Sequence, residues 1–168
     1  MAVLEIRTVP DPVLRQKAKR IGTIGPSTRK LVSDMVETLH DQPGRAGLAA
    51  PQVGVSLRVI VISIPDDEED IILINPEIVK TQGERIVEEG CLSIPGYVGE
   101  IKRAEKVTAK GKNINGKEIR IKAEDLLAQA LEHEIDHLNG ILYIDHLESQ
   151  DKLHQLQPDE QQTAGEAI

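Results

Sequence analysis

The sequence predicts a mixed α+β domain. Three observations carry that reading. Apolar residues recur at helical spacing in two long stretches, β-branched runs fill much of the chain between them, and Asn115-Gly116 sits as a tight-turn pair between two strand-like runs. The 168 residues suit one domain with a core of its own.

Residues 9–14 hold two prolines and then a short helical start. Pro26 suits the first turn of a helix, and Leu31, Val32, Met35, Val36 and Leu39 continue it to about His40. Residues 41–44, with Pro43, should end it. Residues 58–62, 71–74 and 78–79 read as strands, cut by Pro65, by a solvated acidic loop at 66–70 and by Pro76. Residues 106–112 and 117–122 read as a hairpin around 113–116. A second long helix is predicted from about Glu124 to Asn139, with Glu124 and Asp125 at its positive end and Gly140 in the left-handed position that follows many helices. The domain is expected over residues 1–150, followed by a polar tail over 151–168 that frays from Gln155.

The core must be aliphatic, because Phe and Trp are absent and Tyr97 and Tyr143 are the only tyrosines. A net charge of −8 argues against loose binding to nucleic acid or to an anionic membrane surface. No stretch is long and apolar enough to span a bilayer, and residues 1–10 lack the basic start and apolar run of a signal peptide. Cys91 is the single cysteine, so no intrachain disulfide forms. A lone cysteine fits a reducing compartment, and the expected location is the cytoplasm.

His133-Glu134-Ile135-Asp136-His137 is the strongest local signal. Residues four apart share a helix face, so both imidazoles point one way, on a stripe with Leu126 and Ala130. Gln129, Glu132 and Asp136 fall on the opposite, polar side. Two such histidines can ligate one cation, and the Glu between them lies close enough to act on a bound water. The bland alternative is a chance match with two satisfied core histidines. The centre needs a third ligand. Gly140 fits one zinc-protease extension, but Tyr143 stands where that pattern wants His, and a Glu some twenty residues on falls in the polar tail. Cys91 is the soft candidate left, beside the readings of a small buried hydrophobe and of a nucleophile paired with His.

Three segments, Gly47-Leu48-Ala49-Ala50-Pro51-Gln52, Glu89-Gly90-Cys91-Leu92-Ser93 and His133-Glu134-Ile135-Asp136-His137-Leu138, resemble in order and spacing the signature motifs of peptide deformylases. The resemblance covers about residues 1–150. Arg45 stands where the first motif commonly has Gly, and Glu132 stands where Gln commonly precedes the first His. The resemblance implies small antiparallel sheets around a central metal-bearing helix. It implies Cys91, His133 and His137 as ligands of one divalent ion, with ferrous iron usual and zinc, nickel or cobalt able to replace it. It implies removal of the N-formyl group from formyl-methionine at the start of nascent polypeptides, with release of formate. In that scheme a metal-bound hydroxide attacks the formyl carbon, Glu134 is general base and then acid, and the Gln52 amide and Leu92 N–H hold the oxyanion. Ala46 and Gly90 would meet the substrate backbone by strand addition, with Gly47 a further substrate contact, and Ala46, Leu126 and Ala130 would line a pocket for the methionine side chain, with Tyr97 or Val98 near its rim.

The expected partner is the formylated nascent chain, with the ribosome met transiently and neither a specific nucleic acid nor a membrane. Residues 149–168 carry Asp151, Asp159, Glu160 and Glu166 against Lys152, so a basic C-terminal anchor is not expected. Three rival readings are a peptidase cutting internal bonds, a metal-stabilised binding protein without catalysis, and a thiol hydrolase using Cys91.

Overall fold

The computed structural model describes residues 2–157. Its first helix, α1, spans Pro26–His40, with Pro26 in the first turn as its missing N–H allows. The buried stripe of α1 includes Val32, Met35 and Leu39. Its buried polar residues fasten the N-terminal segment. Asp34 accepts the Ala2 N–H at 2.8 Å, and the Thr38 hydroxyl accepts the Leu4 N–H at 2.8 Å. Arg45 closes the other end by donating to the Thr38 carbonyl at 2.5 Å, which gives a direct role to the unexpected residue of the first motif.

Eight strands follow among the described residues: β1 Gly47–Ala49, β2 Val59–Ile62, β3 Ile71–Gln82, β4 Arg85–Cys91, β5 Ile94–Arg103, β6 Lys106–Lys112, β7 Glu118–Glu124 and β8 Leu153–Gln155. They form two antiparallel sheets, ordered β1-β2-β3-β6-β7 and β4-β5-β8. The second helix, α2, spans Asp125–Leu138 and packs against the larger sheet.

All four residues of β2 are buried because both of its faces are covered. Val59 and Val61 join α1 in one apolar cluster, while Ile60 and Ile62 join Leu131, Ile135 and Leu138 of α2 in another. On β6, Val107 and Ala109 pack under α2 and alternate with Lys106, Thr108 and Lys110. The smaller sheet has a third cluster of Cys91, Ile94, Ile101, Leu142 and Tyr143.

The two predicted helices and the hairpin are present, with Gly140 left-handed at φ 74°. Three expectations need correction. Pro76 does not end a strand: β3 runs through it, because a register shift between Ile74 and Glu77 absorbs the missing donor. Buried Asn75 sits at that irregularity with φ 53°, and its side chain bonds the Ile21 N–H at 2.9 Å and the Ile21 carbonyl at 2.8 Å. Strands β1, β4, β5 and β8 were not expected from the sequence. Fraying does not begin at Gln155, which pairs with Tyr97, and the Leu156 N–H donates to the Gly96 carbonyl at 2.8 Å. The rest of that expectation, from 158 onward, lies outside the described residues.

Gly140 is required on two counts. Its φ is left-handed, and a Cβ there would stand 2.6 Å from the Arg15 carbonyl oxygen. Gly116 shares the left-handed φ, at 82°, but its nearest neighbour would be 3.9 Å away. Gly140→Ala is expected to cost about 2–4 kcal/mol, from backbone strain plus overpacking, against about 1–2 kcal/mol for Gly116→Ala from strain alone. Denaturant midpoints of the two variants measure the difference, and equal shifts would contradict it.

Candidate metal centre

The helical repeat of α2 sets His133 and His137 on one face, one turn apart. The β4–β5 hairpin brings the third group. Cys91 pairs with Ile94 across a two-residue turn of Leu92 and Ser93, so the thiol sits at the hairpin tip. Cys91 Sγ lies 3.3 Å from His137 Nε2, which lies 3.1 Å from His133 Nε2. The ligand atoms of all three residues lie within 4.8 Å of one another, and all three residues are buried. Ligand distances of about 2.0–2.3 Å in a tetrahedron require donor atoms about 3.3–3.6 Å apart, so the donor set fits one divalent ion and leaves a fourth position.

A carboxylate stands behind the first histidine. Glu89 Oε2 lies 2.6 Å from His133 Nδ1, which turns Nε2 towards the cysteine. Arg103 grips the same carboxylate with two donors, Nε to Oε1 at 3.0 Å and Nη2 to Oε2 at 2.6 Å. Its Nη1 reaches Asp136 at 2.8 Å, and His146 bonds Asp136 at 2.9 Å. Gln129 Nε2 donates to Glu89 Oε1 at 3.2 Å. Burial alone would push Glu89 up, but His133 and Arg103 outweigh it and hold the carboxyl at about 2. Burial would likewise lower His133, yet the Glu89 charge raises it, whereas burial and the neighbouring His133 lower His137. His137 Nδ1 is buried with no partner among the described residues.

The polar side assigned to α2 is therefore corrected. Gln129 is buried, Asp136 is half-buried, and Glu132 accepts the Ala104 N–H at 2.7 Å. This side faces the smaller sheet, whose polar atoms satisfy it. Glu89, Arg103, Gln129 and Asp136 are site residues that the sequence reading missed. For Glu89 a signal existed: it precedes Cys91 by two residues, the spacing that returns a strand side chain to the same face.

Glu134 is in the opposite condition. It is fully buried, and neither carboxylate oxygen has a hydrogen-bond partner among the described residues. Oε1 lies 3.8 Å from His133 Nε2. Burial pushes the carboxyl up to about 7. Gly47 of β1 borders it, since a Cβ there would stand 2.7 Å from Glu134 Oε2. Gln52 belongs to a short 3-10 turn, Ala50–Val53, and is buried. Its Oε1 accepts the Ala49 N–H at 2.9 Å, while Nε2 lies 3.1 Å from Ser93 Oγ and 3.7 Å from Cys91 Sγ. Leu92 tops the hairpin and packs its side chain against the α1 cluster.

The remaining predicted positions divide by exposure. Ala46 is buried, and its carbonyl accepts the Ser63 N–H at 2.8 Å. Ala130 is fully buried and Leu126 half-buried, both against the α2 cluster. Gly90 and Val98 are half-buried, and Tyr97 is exposed. Strands β1 and β4 are each at the edge of their sheet.

A family model described as polypeptide deformylase matches residues 3–153. A peptide deformylase of Dehalococcoides mccartyi (strain CBDB1) is 58% identical over 161 residues, covering 96% of this chain and 96% of the relative. That of Halothermothrix orenii is 57% identical over 145 residues, covering 86% of this chain and 94% of its own. Among solved structures, a peptide deformylase from Legionella pneumophila aligns with a TM-score of 0.83 at 46% identity, over 97% of this chain and 91% of that one. One from Synechococcus elongatus, in complex with actinonin, aligns with a TM-score of 0.82 at 40% identity, over 89% and 81%. With a family model spanning most of its length and relatives near 58% identity, this chain belongs to the peptide deformylase family.

Proposed function

We propose that the chain hydrolyses the N-formyl group from formyl-methionine at the start of nascent polypeptides, releasing formate, in the cytoplasm. One observation carries the reading: a fully buried carboxylate, Glu134, lies without a hydrogen-bond partner among the described residues beside a three-donor centre. A buried polar group left so alone calls for a water or a ligand. Cys91, His133 and His137 would hold the ion, with Fe2+ proposed in the cell and Zn2+, Ni2+ or Co2+ as replacements. Such an ion supplies Lewis acidity to a water and to the formyl carbonyl.

The protein's own residues do the rest. Glu134, held near 7, can take a proton from the attacking water at neutral pH and return it to the amine. The water oxygen becomes part of formate as the amide C–N bond breaks. Gln52 Nε2 is oriented by the Ala49 contact on its other end, so it can donate to the developing oxyanion without reorganising, with the Leu92 N–H as the second donor. The open edges of β1 and β4 suit an extended peptide, with Ala46, Gly47 and Gly90 against its backbone. Leu126, Ala130, Tyr97 and Val98 would line the methionine pocket. The nascent chain implies a transient visit to the ribosome.

Glu134→Gln keeps the shape and removes the base. Its metal content should stay near that of the unmutated protein while turnover on a formyl-Met peptide falls by about 10²–10⁴-fold. Retained turnover would dismiss Glu134 as the base. Cys91→Ser should lower the bound metal measured after dialysis, since a neutral hydroxyl replaces a soft anion; unchanged retention would remove Cys91 from the ligands. An apolar pocket sorts side chains at about 0.8 kcal/mol per CH₂. Formyl-Met and formyl-norleucine peptides should therefore far outpace formyl-Gly and formyl-Asp peptides in kcat/KM, and equal rates on all four would rule the pocket out.

A further inference from the structure

The larger sheet is covered unevenly. Its β1–β2 end lies between α1 and α2. Over β6, β7 and the end of β3, Val107, Ala109 and Ala123 still pack under α2. The opposite face of that region is exposed or half-exposed at its outward positions.

Strand register turns those positions into a lattice. Lys80 stands opposite Thr108, and Thr108 opposite Lys122. Gln82, Lys106 and Glu124 form the next row; Glu77, Lys110 and Arg120 form the row on the other side, followed by Lys112 opposite Glu118. This face holds six cations against three carboxylates, leaving 14 cations against 25 carboxylates in the rest of the chain. The local net of +3 thus sits on a body of −11. Two acids are engaged already, Glu77 with Lys110 at 3.1 Å and Glu124 with Lys106 at 3.6 Å. Between the rows lies a cleft of about 290 Å³ lined by Lys80, Gln82, Lys106, Thr108 and Lys122, with no carboxylate in its wall. Lys80 and Lys122 have no ion-pair partner among the described residues.

We propose that this cleft docks the protein on the phosphodiester backbone of a nucleic-acid duplex. Rows two residues apart on a strand repeat at about 7 Å, and neighbouring strands at about 5 Å. The cleft thus offers a grid of ammonium groups, with Thr108 and Gln82 as neutral donors, to a repeating phosphate chain. Lysine binds phosphate as a point charge without reading sequence. The face carries no aromatic ring, so it lacks the stacking platform that single strands need. It also lacks the buried apolar or aromatic anchor that typifies a tight protein partner. Phosphates repel the acidic remainder, so the charge asymmetry itself orients the approach. Because α2 lies on the other side of the sheet, a docked molecule keeps its metal centre free.

The test uses the full metal-loaded chain and the triple variant Lys80→Gln, Lys106→Gln, Lys122→Gln, titrated onto a labelled mixed-sequence RNA duplex at 50 mM salt and followed by fluorescence anisotropy. The unmutated protein should bind with a log–log salt slope of about −2.7 to −3.6, for three to four phosphates engaged. The variant should lose at least tenfold in affinity while its rate on a formyl-Met peptide is unchanged. That assay contains no RNA, so a failed docking result leaves the hydrolase reading standing, and the reverse also holds. Equal affinity of the two proteins overturns the proposal. So does poly-glutamate binding as tightly as the duplex, which would mark an acidic protein partner. Complete displacement by 1 mM inorganic phosphate also overturns it, since that would mark a small-anion site.

Discussion

A charge taken out of water must be paired, and Glu89 is where this chain meets that demand. Its carboxylate is buried, and two donors of Arg103, one of Gln129 and His133 Nδ1 all converge on it. Removing Arg103 would strand that charge in a low-dielectric interior, at a cost of about 3–5 kcal/mol for a broken buried pair. The smaller sheet contributes Glu89 and Arg103, while α2 contributes Gln129, His133 and Asp136. The same bonds that dock sheet on helix therefore aim the imidazole. Stability and ligand geometry are one set of contacts here.

Glu134 shows what the fold does with a carboxylate that has no hydrogen-bond partner among the described residues. Two buried acids sit on either side of His133, one held at about 2 by cations and the other raised to about 7, chiefly by burial and against the pull of His133. Environment, not residue type, separates a carboxyl that stays ionised from one that titrates near neutrality. Gly47 makes the second case possible, because any side chain there would enter the space of the Glu134 carboxylate. The first and third sequence motifs are thus in direct steric register.

Local patterns were legible and nonlocal ones were not. Helix α1 could be read from its apolar spacing, and β2 from its unbroken β-branched run, since each pattern reports burial of its own segment. His133 and His137 could be paired because four residues of helix separate them, whereas Cys91 needed the hairpin to reach them. Strands β4 and β5 escaped notice because Gly90, Pro95, Gly96 and Gly99 interrupt them and their charged residues mimic a solvated surface. Glu89, Arg103 and Asp136 look like that surface too, and only the packing of α2 on the smaller sheet turns them inward. Pro76 misled for a related reason, as a bulge conceals a missing donor that a regular ladder could not.

Strand β8 has a consequence for how the chain is built. It closes the outer edge of β5, through Tyr97, Val98 and Gly99, in the sheet whose opposite hairpin tip carries the sulfur. During synthesis Cys91, His133 and His137 are all present once residue 137 has been added, yet this edge waits for residues 153–155. Until then β5 presents an unpaired row of N–H and C=O groups, the arrangement most open to capture by a neighbouring chain. Strand β8 therefore acts as a selvedge, closing the thiol-bearing sheet with residues that are added only after α2.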